Sequence, residues 1–245
     1  MAISYKSKLY DSERIFTVAI DWHQDRPIEG VLYQGEQPTG VCFSGYQELA
    51  RMMEQHFAQM QYPRSVMDRR GFFSARGDME KREAVRETAR RDGRTGTYTI
   101  RVMQRQNASW QGNVKKNGGK LFEFSSFLQL VNYLEEDLSG SPGKTAADGR
   151  EECQQRVERC LRIVMNCPEV MKVLPDTLVY RFCGEGKSQT FMIRPMFYEH
   201  NTCQGTVYWK EYRRQVSFRS FLELIGIMGN AVRYYSSWDG QVEAI

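Results

Sequence analysis

Two hydrophobic periods alternate along this chain. Phe16, Val18 and Ile20 recur at every second position, as do Tyr98, Ile100 and Val102. That spacing belongs to a strand with one buried face. Farther along, the period lengthens. Tyr46, Leu49, Ala50, Met53 and Phe57 fall at i, i+3, i+4, i+7 and i+11. Phe127, Leu130, Val131, Leu134 and Leu138 repeat the spacing, and so do Phe221, Leu224, Ile225, Met228 and Val232. Each stripe predicts an amphipathic helix laid on one face of a sheet.

Three segments superpose on this pattern. FTVAIDWHQDRPIEGVLY leads to VCFSGYQELARMMEQHF, YTIRVMQRQNASWQGNVK to FEFSSFLQLVNYLEEDL, and FMIRPMFYEHNTCQGTVY to VSFRSFLELIGIMGNAV. Gly30, Gly112 and Gly205 occupy one place, each preceded by Glu29, Gln111 or Gln204. Phe16, Tyr98 and Phe191 stand fourteen residues before those glycines, and Phe43, Phe124 and Phe218 stand after them. GEQPTG and NGGK are hairpin turns, and Ser44, Ser125 or Ser126, and Ser220 are placed to open a helix. The expected fold class is therefore α+β. It consists of three internal repeats of a three-stranded antiparallel sheet followed by a helix (βββα), with helical insertions between repeats. A lone unit of this size is marginal, so the units are expected to pack together or join their sheets.

The expected boundaries are 1–60 for the first unit, 97–138 for the second and 189–245 for the third. Residues 61–96 read as a basic helical insertion, because DMEKREAVRETARRD is charged on most sides. Residues 139–188 read as the flexible SGSPGKTAADG, a cysteine-striped helix, and TLVYRF pairing as a hairpin with the third unit's first strand. In that helix Cys153, Cys160 and Cys167 recur every seven residues with Val157 and Val164 between them. Cysteine packs as a small hydrophobe, and thiolates so spread cannot converge on one tetrahedral ion. The six cysteines contain no CxxC pair, so no metal or cofactor is expected.

Composition narrows the picture further. A hydrophobic fraction of 41% supports a sizeable core. No stretch is long and apolar enough to span a membrane, and MAISYKSKLYDSERIF has no signal-peptide core, so a cytoplasmic protein is expected. The net charge is only +4, yet residues 61–96 carry that much alone, with ten Lys or Arg against six acids. That segment offers a nucleic-acid alternative, in which Arg69, Arg70, Arg90, Arg91 and Arg94 contact phosphates and Phe72 and Phe73 stack on bases. Interleaved acids argue instead for a solvated helix with i, i+4 pairs.

RQNASWQGNV, residues 105–114, carries the densest candidate chemistry. Asn107, Ser109 and Gly112 fit NxSxxG, which resembles half of the cyclic-di-GMP signature of PilZ domains. That resemblance implies an arginine pair gripping phosphate, for which Arg90 with Arg94, or Arg101 with Arg105, supplies RxxxR. The competing reading is a turn before a bulge, in which glycine meets a backbone constraint and Asn and Ser bond their own backbone. QNASWQGxV followed by FRSxLEL also resembles short bacterial proteins, mainly clostridial, that carry no assigned activity. It implies bacterial cytosolic origin.

No GxSxG, Walker A, HExxH or GxGxxG motif occurs, and His200 beside Cys203 is the only nucleophile–base proximity. An enzyme is not expected. The expected function is a non-catalytic binding or scaffold protein, acting by protein–protein interaction or self-assembly. Its contact candidates are Asn107, Ser109, Trp110, Gln111, Trp22 and Trp209, with Tyr208 as a further surface-prone ring.

Overall fold

The computed structural model describes residues 12–24, 26–65, 70–72, 86–140, 150–164, 170–174, 177–184 and 187–242. It is an α+β protein with two antiparallel sheets and four helices among the described residues. The first hydrophobic period becomes β1 (Ile15–Gln24), β2 (Arg26–Gln34) and β3 (Thr39–Ser44), followed by helix α1 (Tyr46–Met60). After the short β4 (Glu87–Ala89) come β5 (Gly96–Gln104), β6 (Gln111–Lys116), β7 (Leu121–Phe124) and helix α2 (Phe127–Ser139). Helix α3 (Arg150–Val164), β8 (Val170–Leu174) and β9 (Thr177–Gly184) precede β10 (Lys187–Glu199), β11 (Thr202–Trp209), β12 (Arg214–Phe218) and helix α4 (Phe221–Val242).

The first sheet has the order β4-β3-β2-β1-β5-β6-β7 and the second β12-β11-β10-β9-β8. β1 and β5 join back to back, with Phe16 opposite Ile100, Thr17 opposite Thr99 and Val18 opposite Tyr98. That pairing is symmetric about the two threonines. It gives each three-stranded piece the partner that it lacks alone. In the second sheet β9 covers the corresponding edge of β10, with Leu178 opposite Ile193 and Tyr180 opposite Phe191, so the TLVYRF hairpin forms.

The helices make a middle layer. Helix α1 rests on β2 and β3, α2 touches β1, β7 and β11, and α3 and α4 rest on the second sheet. The predicted stripes are the buried faces: Tyr46, Leu49, Ala50, Met53 and Phe57 of α1 are all in the core. One continuous core runs from Phe16 and Ile100 through the helices to Phe191 and Trp209. Among the described residues no helix is long and apolar enough to cross a membrane.

The helix expected across residues 61–96 is not found at its C-terminal end. Glu87–Ala89 is the edge strand β4, pairing Thr39 with Ala89 and Val41 with Glu87. The edge of β3 offers unpaired backbone groups to this polar stretch, which has little apolar surface to seal as a helix. Residues 73–85 lie outside the described residues. In α3, Val157, Cys160 and Val164 are buried as the stripe required, and the Cys160 thiol donates to Asn132 Oδ1 at 3.2 Å. Cys153 and Cys167 lie outside the residues whose side chains are described.

Candidate functional site

One backbone device recurs in both sheets. The β1–β2 register shifts between Ile20 and Trp22, β5–β6 between Val102 and Gln104, and β10–β11 between Pro195 and Phe197. Gly30, Gly112 and Gly205 sit opposite the residue just before each shift, facing Ile20, Val102 and Pro195. A β-carbon there would collide with the carbonyl oxygen of Ala19, Arg101 or Arg194 respectively. Only glycine lets the strands approach so closely. The Gly-centred turn chemistry read from the sequence is thus a bulge.

A bulge re-aims the side chains around it. After the shift Trp22 pairs with Glu29, Gln104 with Gln111, and Phe197 with Gln204. Trp22 is 50% exposed and Phe197 54%, with Met103 and Met196 exposed beside their bulges. Two of the three bulges therefore leave an aromatic residue about half exposed.

The next residue turns inward, and there the first two bulges exchange partners. Arg105, after the β5 bulge, meets Glu54 of α1 through Nε at 3.2 Å and through Nη2, and gives Nη1 to the Pro63 carbonyl at 3.1 Å. His23, after the β1 bulge, meets Glu135 of α2, Nε2 to Oε2, at 3.0 Å. The buried Nδ1 of His23 has no partner among the described residues. Each carboxylate has a second, neutral donor. Trp110 Nε1 donates to Glu54 at 2.5 Å, and the Tyr46 hydroxyl to Glu135 at 2.8 Å. Burial pushes the Tyr46 hydroxyl well above the ordinary tyrosine range, and the Glu135 charge adds to it, so Tyr46 remains a donor.

The second and third turns exchange in the same way. Asn107 and Ala108 take left-handed conformations before β6, as His200 and Asn201 do before β11. Ser126 Oγ donates to the Asn201 carbonyl and Ser220 Oγ to the Ala108 carbonyl, both at 2.5 Å. Those hydroxyls also accept from Gln129 N and Glu223 N, capping α2 and α4. Ser109 Oγ accepts from Phe127 N, and Thr202 Oγ1 from Phe221 N, each at 2.9 Å. RQNASWQGNV therefore supplies the second half of a reciprocal helix-capping junction.

This placement corrects the contact candidates. Trp110 and Trp209 were expected at the surface. Both are fully buried, Trp110 edge-on to Phe57 and Phe127 and Trp209 against Phe191 and Phe72. Ser109 is buried in its cap, and the Gln111 amide closes its own turn on Gln106 and Ser125. Asn107 is half-buried, and Tyr208 is half-buried on β11. Of the ring candidates Trp22 is the one displayed. Phe197, absent from the sequence-based candidates, is the other.

The nucleic-acid candidates are largely engaged within the chain. Phe72 is buried between Phe191 and Trp209, so it has no face for a base. Arg70 reaches the Ser217 carbonyl at 3.4 Å. Arg91 forms a two-pronged pair with Asp21, which lowers the Asp21 pKa. Arg90 lies over the Tyr33 ring and bonds the Gly35 and Gln37 carbonyls. Arg94 gives its backbone N–H to Asp21 at 3.2 Å. Arg69 and Phe73 lie outside the described residues. The cysteine of the only nucleophile–base proximity, Cys203, is fully buried, whereas His200 is exposed at the turn.

Residues 86–95 thus strap the outer face of the first sheet over Ala19, Val31 and Tyr33. Because the Asp21 pKa is lowered below 3.8 chiefly by its bond to Arg91, this pair stabilises the strap above that pH. The contribution is lost as pH falls through the folded-state value. Hydrogen exchange, corrected for intrinsic rates, should show the Arg94 amide losing protection between about pH 6 and about pH 3. Asp21→Asn should abolish this pH dependence, and equal protection at both pH values in the unaltered protein refutes it.

Among the described residues no cluster of three His, Cys, Asp or Glu side chains is placed to hold a metal. No family model, curated protein or solved structure matches the chain.

Proposed function

We propose that the protein is a cytoplasmic, non-catalytic binding or scaffold protein of bacterial origin, built from three copies of one βββα unit. The supporting observation is the glycine bulge, which presents Trp22 and Phe197 half-exposed at matching positions. Large, stiff aromatics held out by a rigid backbone bring contact area at little entropic cost, the usual property of interface anchors. The partner is another protein or a second copy of this chain.

The nucleic-acid alternative keeps less support, since Phe72 is buried and Arg91 is neutralised by Asp21. The PilZ-like reading loses its groups too, with Ser109 in a helix cap and Arg105 paired with Glu54. A Trp22→Ser, Phe197→Ser double variant should keep its circular dichroism and melting temperature. It should lose the companions that co-purify from the native host, or its own self-association in sedimentation. If companions and sedimentation both match the unaltered protein, the rings are not anchors.

A further inference from the structure

The outer face of the first sheet holds a hollow of about 320 Å³ where β1 meets β5, lined by Thr17, Thr97, Thr99, Asn117, Arg90, Arg91 and Asp92. Its hydrogen-bond polarity is one-sided. Thr17 Oγ1 already accepts from Arg90 Nη2 at 3.0 Å, and Thr97 Oγ1 from the Gly93 amide at 2.9 Å. A hydroxyl that accepts an N–H keeps its own proton to give. The Thr99 hydroxyl, facing Thr17 across the β1–β5 pairing, has no partner among the described residues.

Charge points the same way. Arg90 is fixed by three neutral acceptors, the Gly35 and Gln37 carbonyls and the Thr17 hydroxyl, and is backed by the Tyr33 ring at 5.4 Å. Among the described residues no carboxylate pairs with it. Lys115, opposite Thr99 on β6, is exposed and likewise has no carboxylate partner among them. Arg91 is balanced by Asp21, and Asp92, which accepts from Asn117 Nδ2 at 3.2 Å, is the opposing charge at the rim. A rigid, unneutralised guanidinium beside three available O–H donors suits a compact oxyanion better than a cation or an apolar group.

We propose that this hollow binds a small phosphate-bearing anion, with Arg90 supplying charge, Thr17, Thr97 and Thr99 donating to its oxygens, and Lys115 closing over it. The site is separate from the displayed rings, so it stands or falls independently of the scaffold reading. The ligand is free phosphate or a small phosphomonoester.

The test is calorimetric titration at constant ionic strength with inorganic phosphate and with glycerol 3-phosphate, chloride serving as the blank. Saturable binding is expected for both probes. Tighter binding of the ester identifies a small phosphorylated molecule, and equal affinity identifies free phosphate. Thr99→Val keeps the β-branched shape and removes one donor, and should weaken binding about tenfold. Asp92→Asn removes the opposing charge without touching the sheet, and should tighten binding several-fold. No saturable heat with either probe overturns the proposal. So does binding that Asp92→Asn leaves unchanged, a readout that does not depend on how Thr99→Val folds.

Discussion

Gly112→Ala should cost the protein about 3 kcal/mol of stability or more, enough to leave much of it unfolded. The added methyl would run into the Arg101 carbonyl oxygen, a backbone atom in the middle of a paired strand with no rotamer to move. Relief requires pulling β5 and β6 apart, which breaks their ladder and the buried Val102 and Val114 contacts behind it. Gly30→Ala and Gly205→Ala meet the same obstacle at Ala19 and Arg194 and should behave alike. Gly118 makes the comparison fair. It has a positive φ of 73° but nothing within 4 Å of an added β-carbon, so Gly118→Ala pays only backbone strain, about 1 kcal/mol. Urea unfolding of the four variants separates the two costs. Equal losses at Gly112 and Gly118 would mean that the close approach is not the reason for the glycine.

Glu54→Ala should be the most damaging change among the helix residues, at about 4 kcal/mol. It strands two buried donors together, the Arg105 guanidinium and the Trp110 indole N–H. Glu54→Gln restores an acceptor for the indole but not the charge, so about half the loss should return. Glu135→Gln should cost less than Glu54→Gln, because Glu54 faces a permanently charged guanidinium, whereas the partners of Glu135 are an imidazole and a hydroxyl. Denaturant midpoints at neutral pH give that ranking, and a Glu54→Ala loss below about 1 kcal/mol would show that the pair is solvated rather than buried.

The elements that the sequence revealed are those with a period. Phe16-Val18-Ile20 and the three helix stripes are set by which side faces the core, and the core is where the structure put them. The Glu/Gln-Gly pairs located the bulges, because a backbone collision constrains one position whatever surrounds it. Pairing between distant segments left weaker traces. β4 is three residues of charged sequence whose only reason to be a strand is the open edge of β3, which no local pattern encodes. Trp110 and Trp209 were expected as surface anchors, yet each indole found an inward acceptor, Glu54 or Gln189. A signal for the exchanged carboxylates was present. Glu54 and Glu135 each stand eight residues after the first apolar position of a helix, on the stripe itself. A lone acid on an apolar stripe asks for a buried partner, and only the tertiary fold says which.

The exchanged contacts also govern how the chain is made. Arg105 needs a carboxylate from a helix formed earlier in synthesis, but His23 must wait for Glu135, which lies 112 residues downstream. The edge of β1 stays bare until β5 has left the ribosome, and the Ala108 carbonyl waits for the Ser220 hydroxyl another 112 residues on. Long waits of this kind raise contact order and slow folding. They also bind the three sheet–helix segments into one melting transition. A chain whose neighbours merely stacked could lose them one at a time, whereas here removing any one leaves buried polar groups in the next without partners.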